Sequence, residues 1–178
     1  MLEFIALGMV LDSPQTGYDI KKYIESGIGT FYKASYGSLY PLLKKLTAAG
    51  FLSVSEGAQG GRKKIYYEIT DMGRSAFFEW LKAPINFNDS TDNQLAKIYF
   101  FDRLPEDERG QQLDEYELAC TNYLRRLQAM AKEFDSMEGK DCFYYKLSTL
   151  YYGITVMQTT VKWCRQIRLQ KPLNELIQ

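Results

Sequence analysis

The chain has no histidine among its 178 residues and only three cysteines, Cys120, Cys142 and Cys164. Without imidazole there is no Ser-His or Cys-His nucleophile system and no access to the commonest general base. The cysteines show no Cys-x-x-Cys pairing, so no metal site is expected. An odd, widely spaced set suits a reducing cytoplasm and buried thiols. No apolar run approaches the roughly 18 to 20 residues that cross a membrane. The N-terminal MLEFIALGMVL lacks a basic flank and a small-residue cleavage site, and reads as a buried first helix rather than a signal peptide. Glycine-rich phosphate loops and paired carboxylates are missing too. No enzyme and no cofactor are expected, and the expected location is the cytoplasm.

Net charge is absent as well, because 22 Lys and Arg balance 22 Asp and Glu. The distribution is uneven. Residues 20–64 carry eight basic side chains against Glu25 and Glu56, whereas 102–117 is dominated by acids against Arg103 and Arg109. A local basic face on a neutral chain is how a compact DNA-binding domain coexists with an acidic remainder. Apolar residues are plentiful at 46%, enough for one domain or two small ones with real cores.

Residues 3–11 predict a short apolar helix, ended by the turn signal DSPQTG. Thr16, with Asp19 three residues on, predicts a capped helix over 17–26. Ile20, Tyr23 and Ile24 fall on its inner face, and Lys21, Lys22 and Glu25 on the other. SYGSLYPLLKKLTAAGFL, residues 35–52, predicts a third helix with Leu39, Leu42, Leu43 and Leu46 as a buried stripe and Gly50 as its stop. Its start stays open between Ser35, which can cap it, and Pro41, which local rules place at the first helical position. FLSVSE and KIYYEIT flank the glycine-bearing GAQGGR as a hairpin, with Ile65, Tyr67 and Ile69 sharing a face. Thr70 caps a fourth helix reaching about Lys82, with Met72, Ala76, Phe77 and Trp80 inward. Three helices, a hairpin and a helix make the winged form of the helix-turn-helix arrangement.

A linker with Pro84 and INFNDSTDN leads to a short helix over 92–102, carrying Leu95, Ile98, Tyr99 and Phe101, and then to two long helices. In the first, about 105–137, Leu113, Tyr116, Cys120, Tyr123, Leu127, Met130, Phe134 and Met137 recur at alternating steps of 3 and 4, as a coiled-coil seam requires. In the second, about 141–169, Phe143, Leu147, Leu150, Ile154, Met157, Val161 and Cys164 do the same. The two are expected to fold back as an antiparallel pair. Tyr144, Tyr151, Tyr152 and Trp163 lie away from that seam, more apolar surface than one partner helix covers. A homodimer is therefore expected, with Leu113, Tyr116, Tyr123, Leu127, Leu147, Leu150, Ile154, Met157 and Val161 as dimerisation residues. The expected class is mainly α: a winged helix-turn-helix domain at 1–83, a linker at 84–91, and a helical dimerisation domain at 92–178.

The second helix of a helix-turn-helix unit enters the DNA major groove, where its first residues meet base edges and phosphates. Ser35, Tyr36, Ser38 and Tyr40 supply hydroxyls there, and Gly37 allows close backbone approach. Lys44 and Lys45 reach the flanking phosphates, and Arg62, Lys63 and Lys64 at the hairpin tip reach the neighbouring groove or backbone. Each feature has a plainer reading. Tyr40 serves equally well as a half-buried packing tyrosine, and Lys44 and Lys45 alone are an ordinary solvated helix face.

GYDIKKYIE, SYGSLYPLLKKLTAAGFL, GGRKKIYYEIT and GRSAFFEWL together resemble the PadR family of bacterial transcriptional regulators. The resemblance is specific over residues 1–82. It is looser over 88–178, which is similar to the longer, virulence-activator-alpha type of C-terminal domain. It implies a homodimer, usually a repressor, on a palindromic DNA operator, released by a small and often aromatic effector. It also assigns DNA-binding roles to Tyr36, Tyr40, Arg62 and Lys64 and matches Tyr18 to the family's tyrosine near the second helix; Lys21 joins this set. Tyr99, Phe100, Phe101, Tyr144, Tyr145, Tyr151, Tyr152 and Trp163 suit either a planar ligand or a core and subunit interface, so no effector residues are assigned. A winged-helix protein-interaction module without a DNA target is the competing class.

Overall fold

The structure is a computed structural model that describes residues 1–32, 36–59, 62–137 and 140–174; of residues 36, 58, 59, 62, 140 and 141 it describes the backbone alone. Two units emerge, Met1–Ala83 with Asn88–Leu104, and Pro84–Phe87 with Pro105–Gln178.

In the first unit α1 (Leu2–Met9) is apolar apart from Glu3 in its first turn and buries Ile5, Ala6, Leu7 and Gly8. Thr16 caps α2 (Gly17–Ser26): its Oγ1 accepts from Asp19 N at 3.1 Å and donates to Asp19 Oδ2 at 2.6 Å. Ile20 and Ile24 are fully buried as expected, but Tyr23 is exposed, one step beyond the inner stripe. The third helix, α3, runs Tyr36–Ala48 with Pro41 inside it. Of the two starts the sequence leaves open, the earlier holds. Pro41, in the second turn, forgoes a bond to the Gly37 carbonyl, and the helix continues through that loss. Leu39, Leu43 and Leu46 are buried and Leu42 lies on the shoulder of the stripe.

Gly50 ends α3 at φ +80°, with Gly50 N donating to Thr47 O and Phe51 N to Leu46 O, a Schellman-type stop. A Cβ in the left-handed region is disfavoured, so Gly50→Ala is expected to lower the unfolding free energy by about 1 to 2 kcal/mol in urea titration.

β2 (Leu52–Gln59) and β3 (Arg62–Ile69) form the hairpin, in register from Leu52 opposite Ile69 to Gln59 opposite Arg62. A third strand, β1 (Gln15–Thr16), pairs with β3 through Gln15 opposite Tyr67 and Thr16 opposite Tyr66, giving the order β1-β3-β2. Tyr67 is buried, whereas Ile65, on the same face, is exposed because the hairpin there projects past the body of the unit.

Thr70 caps α4 (Asp71–Lys82), accepting from Gly73 N at 3.1 Å. The buried row is Gly73, Phe77 and Leu81; Met72, expected inside, is exposed. Phe4 stacks on Trp80 at 4.8 Å, and Phe77 meets the edge of Phe100 at 5.3 Å.

Phe100 belongs to the segment after the expected linker. α5 (Thr91–Ile98) and the following turn pack in the first unit, whereas the sequence reading sets a linker at 84–91 and begins the second domain at 92. The reason is local. Ala96, Phe100 and Phe101 are buried there, and the ammonium of Lys97 donates to Trp80 O at 2.7 Å and to Ala83 O, closing the end of α4. Pro84–Phe87 instead pack in the second unit, where Phe87 meets Tyr123 at 5.5 Å and Tyr116 at 6.4 Å.

The second unit is α6 (Glu106–Asp135) against α7 (Tyr144–Arg168), antiparallel as expected. Tyr151 donates to Asp135 at 2.9 Å near the turn, and Arg165 meets Glu117 at 2.6 Å and Arg168 meets Asp114 at 3.0 Å at the far end. Leu113, Tyr116, Cys120, Leu127, Ile154, Val161 and Cys164 are buried within the one chain. The regular seam fails at Tyr123, Met130 and Met137, which are exposed while Ala131 is buried. A straight helix drifts ~20° per heptad away from a strict seven-residue repeat, and here the buried row moves accordingly. Cys120 and Cys164 are buried, whereas Cys142, expected to be buried, is exposed. Among the described residues no helix is long and apolar enough to cross a membrane.

Candidate nucleic-acid interface

The outward face of α3 is the complement of its leucine row. Gly37, Ser38, Tyr40 and Lys44 lie on it, all exposed. Ser35 and the side chain of Tyr36 lie outside the described residues. Tyr18, in the first turn of α2, is 67% exposed and Tyr40 is 48% exposed. Lys21 is half-buried and makes an i,i+4 contact of 3.7 Å with Glu25. An i,i+4 pair of this kind is worth a few tenths of a kcal/mol at most.

On the hairpin Lys63 is exposed and 3.7 Å from Glu56 on the opposite strand. Lys64 is half-buried, and the side chain of Arg62 lies outside the described residues. The strands alternate, so Lys63 and Lys64 point to opposite sides of the ribbon. A hairpin of this kind offers cations to both sides of whatever it approaches.

Two neighbour relations that sequence reading missed join these parts. The first residue of α2, Gly17, lies against the ring of Tyr40: a Cβ there would fall 2.7 Å from Tyr40 Cε1. Tyr67 of β3 lies near Tyr40, and burial together with that neighbour pushes its phenol above the ordinary value. The clue in the sequence was a glycine directly after a helix cap, where a side chain would ordinarily be tolerated.

A separate cleft of about 930 Å³ opens in the first unit, lined by Met9, Tyr23, Tyr99 and Phe100 and by Asp12 and Arg103. Arg103 donates to both Asp12 oxygens, at 2.8 and 2.5 Å, and this hydrogen-bonded cation holds the Asp12 carboxyl below the ordinary range. Of the aromatics noted in the sequence, Phe100 and Phe101 are core residues, Tyr99 lines this cleft, and Tyr144, Tyr145, Tyr151 and Tyr152 are exposed on α7. No group of metal-ligating side chains exists among the described residues.

Residues 6–79 match the transcriptional regulator PadR-like family, and residues 92–170 match the virulence activator alpha C-terminal domain. The negative transcriptional regulator PadR of Bacillus subtilis (strain 168) is 32% identical over 110 residues, 61% of this chain and 60% of that protein. The match thus spans about three-fifths of that relative's length. The crystal structure of B. subtilis PadR in complex with operator DNA aligns over 95% of this chain and 98% of that one, at 28% identity and a TM-score of 0.46. For B. subtilis PadR in complex with p-coumaric acid the values are 95%, 97%, 26% and 0.42. A winged helix-turn-helix fold with an exposed hydroxyl-rich third helix, followed by a matching C-terminal domain, places this chain in the PadR-like family of transcriptional regulators.

Proposed function

We propose that the protein is a sequence-specific DNA-binding transcriptional regulator, a repressor that sits as a homodimer on a palindromic operator and leaves it when a small effector binds. The observation that carries the reading is the combination, in one unit, of an exposed α3 face bearing Gly37, Ser38, Tyr40 and Lys44 with a hairpin bearing Lys63 and Lys64. α3 suits direct reading of bases, and the hairpin suits sequence-independent phosphate contact. The repressor sense follows the negative regulator of B. subtilis to which the chain is similar.

Dimerisation is assigned to the C-terminal helices, with a refinement of the residues. Leu113, Tyr116, Leu127, Ile154 and Val161 serve the α6–α7 core of one chain, and Leu147, Leu150 and Met157 are half-buried at its margin. Tyr123 and the outward tyrosines of α7, among them Tyr145 at 83% exposure, are the surface left for a second subunit. The effector is supported by the cleft in the first unit, whose volume suits a small ligand and whose lining joins aromatic rings to a charged pair.

Selection from a pool of random duplexes, with a salt titration, tests the reading. A palindrome with half-sites about one helical turn apart is expected, bound with a steep salt slope. Replacing Arg62, Lys63 and Lys64 together by alanine should weaken binding to all duplexes and lower the log–log salt slope by roughly 3, since each phosphate contact contributes about 0.9. Ser38→Ala should instead shift sequence preference with the slope kept. No enrichment, or a slope unchanged in the triple variant, would move the chain to the protein-interaction class or remove the hairpin from the interface.

A further inference from the structure

Gly17 has no conformational reason to be glycine. Among the described residues the one glycine with a left-handed backbone is Gly50, and Gly17 sits in ordinary helix at the first position of α2. At that position a residue with a side chain is usual and, on helix propensity, favoured over glycine. What excludes a side chain is space. A Cβ would lie 2.7 Å from Tyr40 Cε1 and 3.4 Å from both Cδ1 and Cζ, so the ring edge lies flat against the α2 backbone.

The other neighbours of this seat are also ordered. Thr16, the residue before Gly17, is a helix cap and a strand residue at once: it is paired with Tyr66 in β3 and hydrogen-bonded to Asp19. Gln15 is paired with Tyr67, the buried tyrosine that neighbours Tyr40. The start of α2 and the inner strand of the hairpin are therefore tied together by β1, and Tyr40 of α3 lies against the first and near the second. Half of Tyr40 remains exposed, so a methyl group at position 17 would not need to break the core; it would turn the ring outward.

We propose that Gly17 is a positioning residue for DNA recognition, acting through Tyr40: its missing side chain lets the tyrosine lie in one orientation, at a set place relative to the hairpin. The inference rests on the reading of Tyr40 as a DNA contact. It also explains how a fixed hairpin and a fixed helix face share one register, since a tyrosine free to swing would lose rotamer entropy on each binding event.

Gly17→Ala, Tyr40→Ala and the double variant, measured against the palindromic duplex enriched by the wild-type protein, test it. Each single variant should weaken binding about tenfold, the size expected for one lost side-chain contact at such an interface. The double variant should bind no more weakly than Tyr40→Ala alone, because the two changes remove the same contact. Thermal melting supplies a readout without DNA. Any loss of melting temperature in Gly17→Ala should be restored in the double variant, where the colliding ring is gone.

Wild-type affinity in Gly17→Ala overturns the inference. So do losses that multiply in the double variant, which would mean Gly17 acts independently of Tyr40. If Tyr40→Ala binds like wild type while the palindrome is still selected, Tyr40 is not a contact and the inference falls with that assignment, leaving the regulator reading intact. If no duplex is enriched, both fall.

Discussion

Gly73→Ala is expected to lower the unfolding free energy by roughly 3 kcal/mol and to remove specific DNA binding with it. The added Cβ would lie 2.1 Å from the Phe51 carbonyl oxygen and 3.0 Å from Ile69 Cγ1. The oxygen is backbone and cannot rotate aside. It is also engaged, because Thr70 N donates to it at 3.1 Å and Thr70 Oγ1, which donates to Gly50 O at 2.7 Å, lies 3.1 Å from it. Three elements meet at that oxygen: the end of α3, the base of the hairpin and the cap of α4. Relieving the clash means moving α4 away from the junction or opening the Thr70 hydrogen bonds. Either movement displaces α3 relative to the hairpin. Urea titration measures the stability, and duplex affinity below the transition measures the second effect. A variant that loses stability but keeps wild-type affinity when folded would show that the junction does not set the spacing of α3 and hairpin.

Lys97→Met is expected to cost about 2 kcal/mol at pH 7, through two carbonyls left without donors. Lys97 is 5% exposed, and its ammonium donates to Trp80 O and Ala83 O while lying 5.6 Å from the Trp80 ring centre. Those carbonyls end α4, where a cation is favoured by the helix dipole as well. Burial nevertheless lowers the Lys97 pKa from 10.5 to about 8. The sign of the pH effect follows from that. Below pH 8 the lysine is charged in both folded and unfolded chains, and the full cost of burying the charge is present. Between about 8 and 10.5 the unfolded chain holds more protons than the folded one, so this group makes stability rise with pH. The neutral amine still donates to the carbonyls. The gap between wild type and Lys97→Met should therefore widen from pH 8 to about 9.5, a window below the ordinary range of tyrosine ionisation. A gap that stays constant over this window would mean the ammonium is hydrated in the folded chain.

Both sites show where local sequence rules stop. Nothing near Lys97 in the chain marks it as buried. Its partners lie 17 and 14 residues away, and lysine is among the residues least often buried. The same holds for Met72 and Tyr23, each placed inside by a helical period and found exposed. Periodicity tells which residues share a face but not how wide a band the neighbours cover. In α6 the alternating 3 and 4 spacing names a seam, yet the buried row shifts from Tyr123 and Met130 to Ala131 because the helix does not supercoil enough to follow the heptad.

What the sequence determined by itself is the order of the main helices and the hairpin, and several of their ends. Thr16, Gly50 and Thr70 act through hydrogen bonds and backbone angles within a few residues, and the hairpin follows from alternation around glycines, so no distant partner is needed to recognise them. The basic stretch and the hydroxyl-rich start of α3 were legible for the same reason. Only the tertiary structure decided which residues a distant element would cover. β1 is two residues long and exists because β3 offers it an edge. α5 joins the first unit because Phe100 and Lys97 find their partners on α4. The outermost dimerisation candidates separate from the core of α6 and α7 by a drift too small to read one turn at a time. Gly17 is a glycine because a ring from a helix more than twenty residues later rests on it. Contacts of that separation depend on how whole elements pack, a property that no local window of the chain contains.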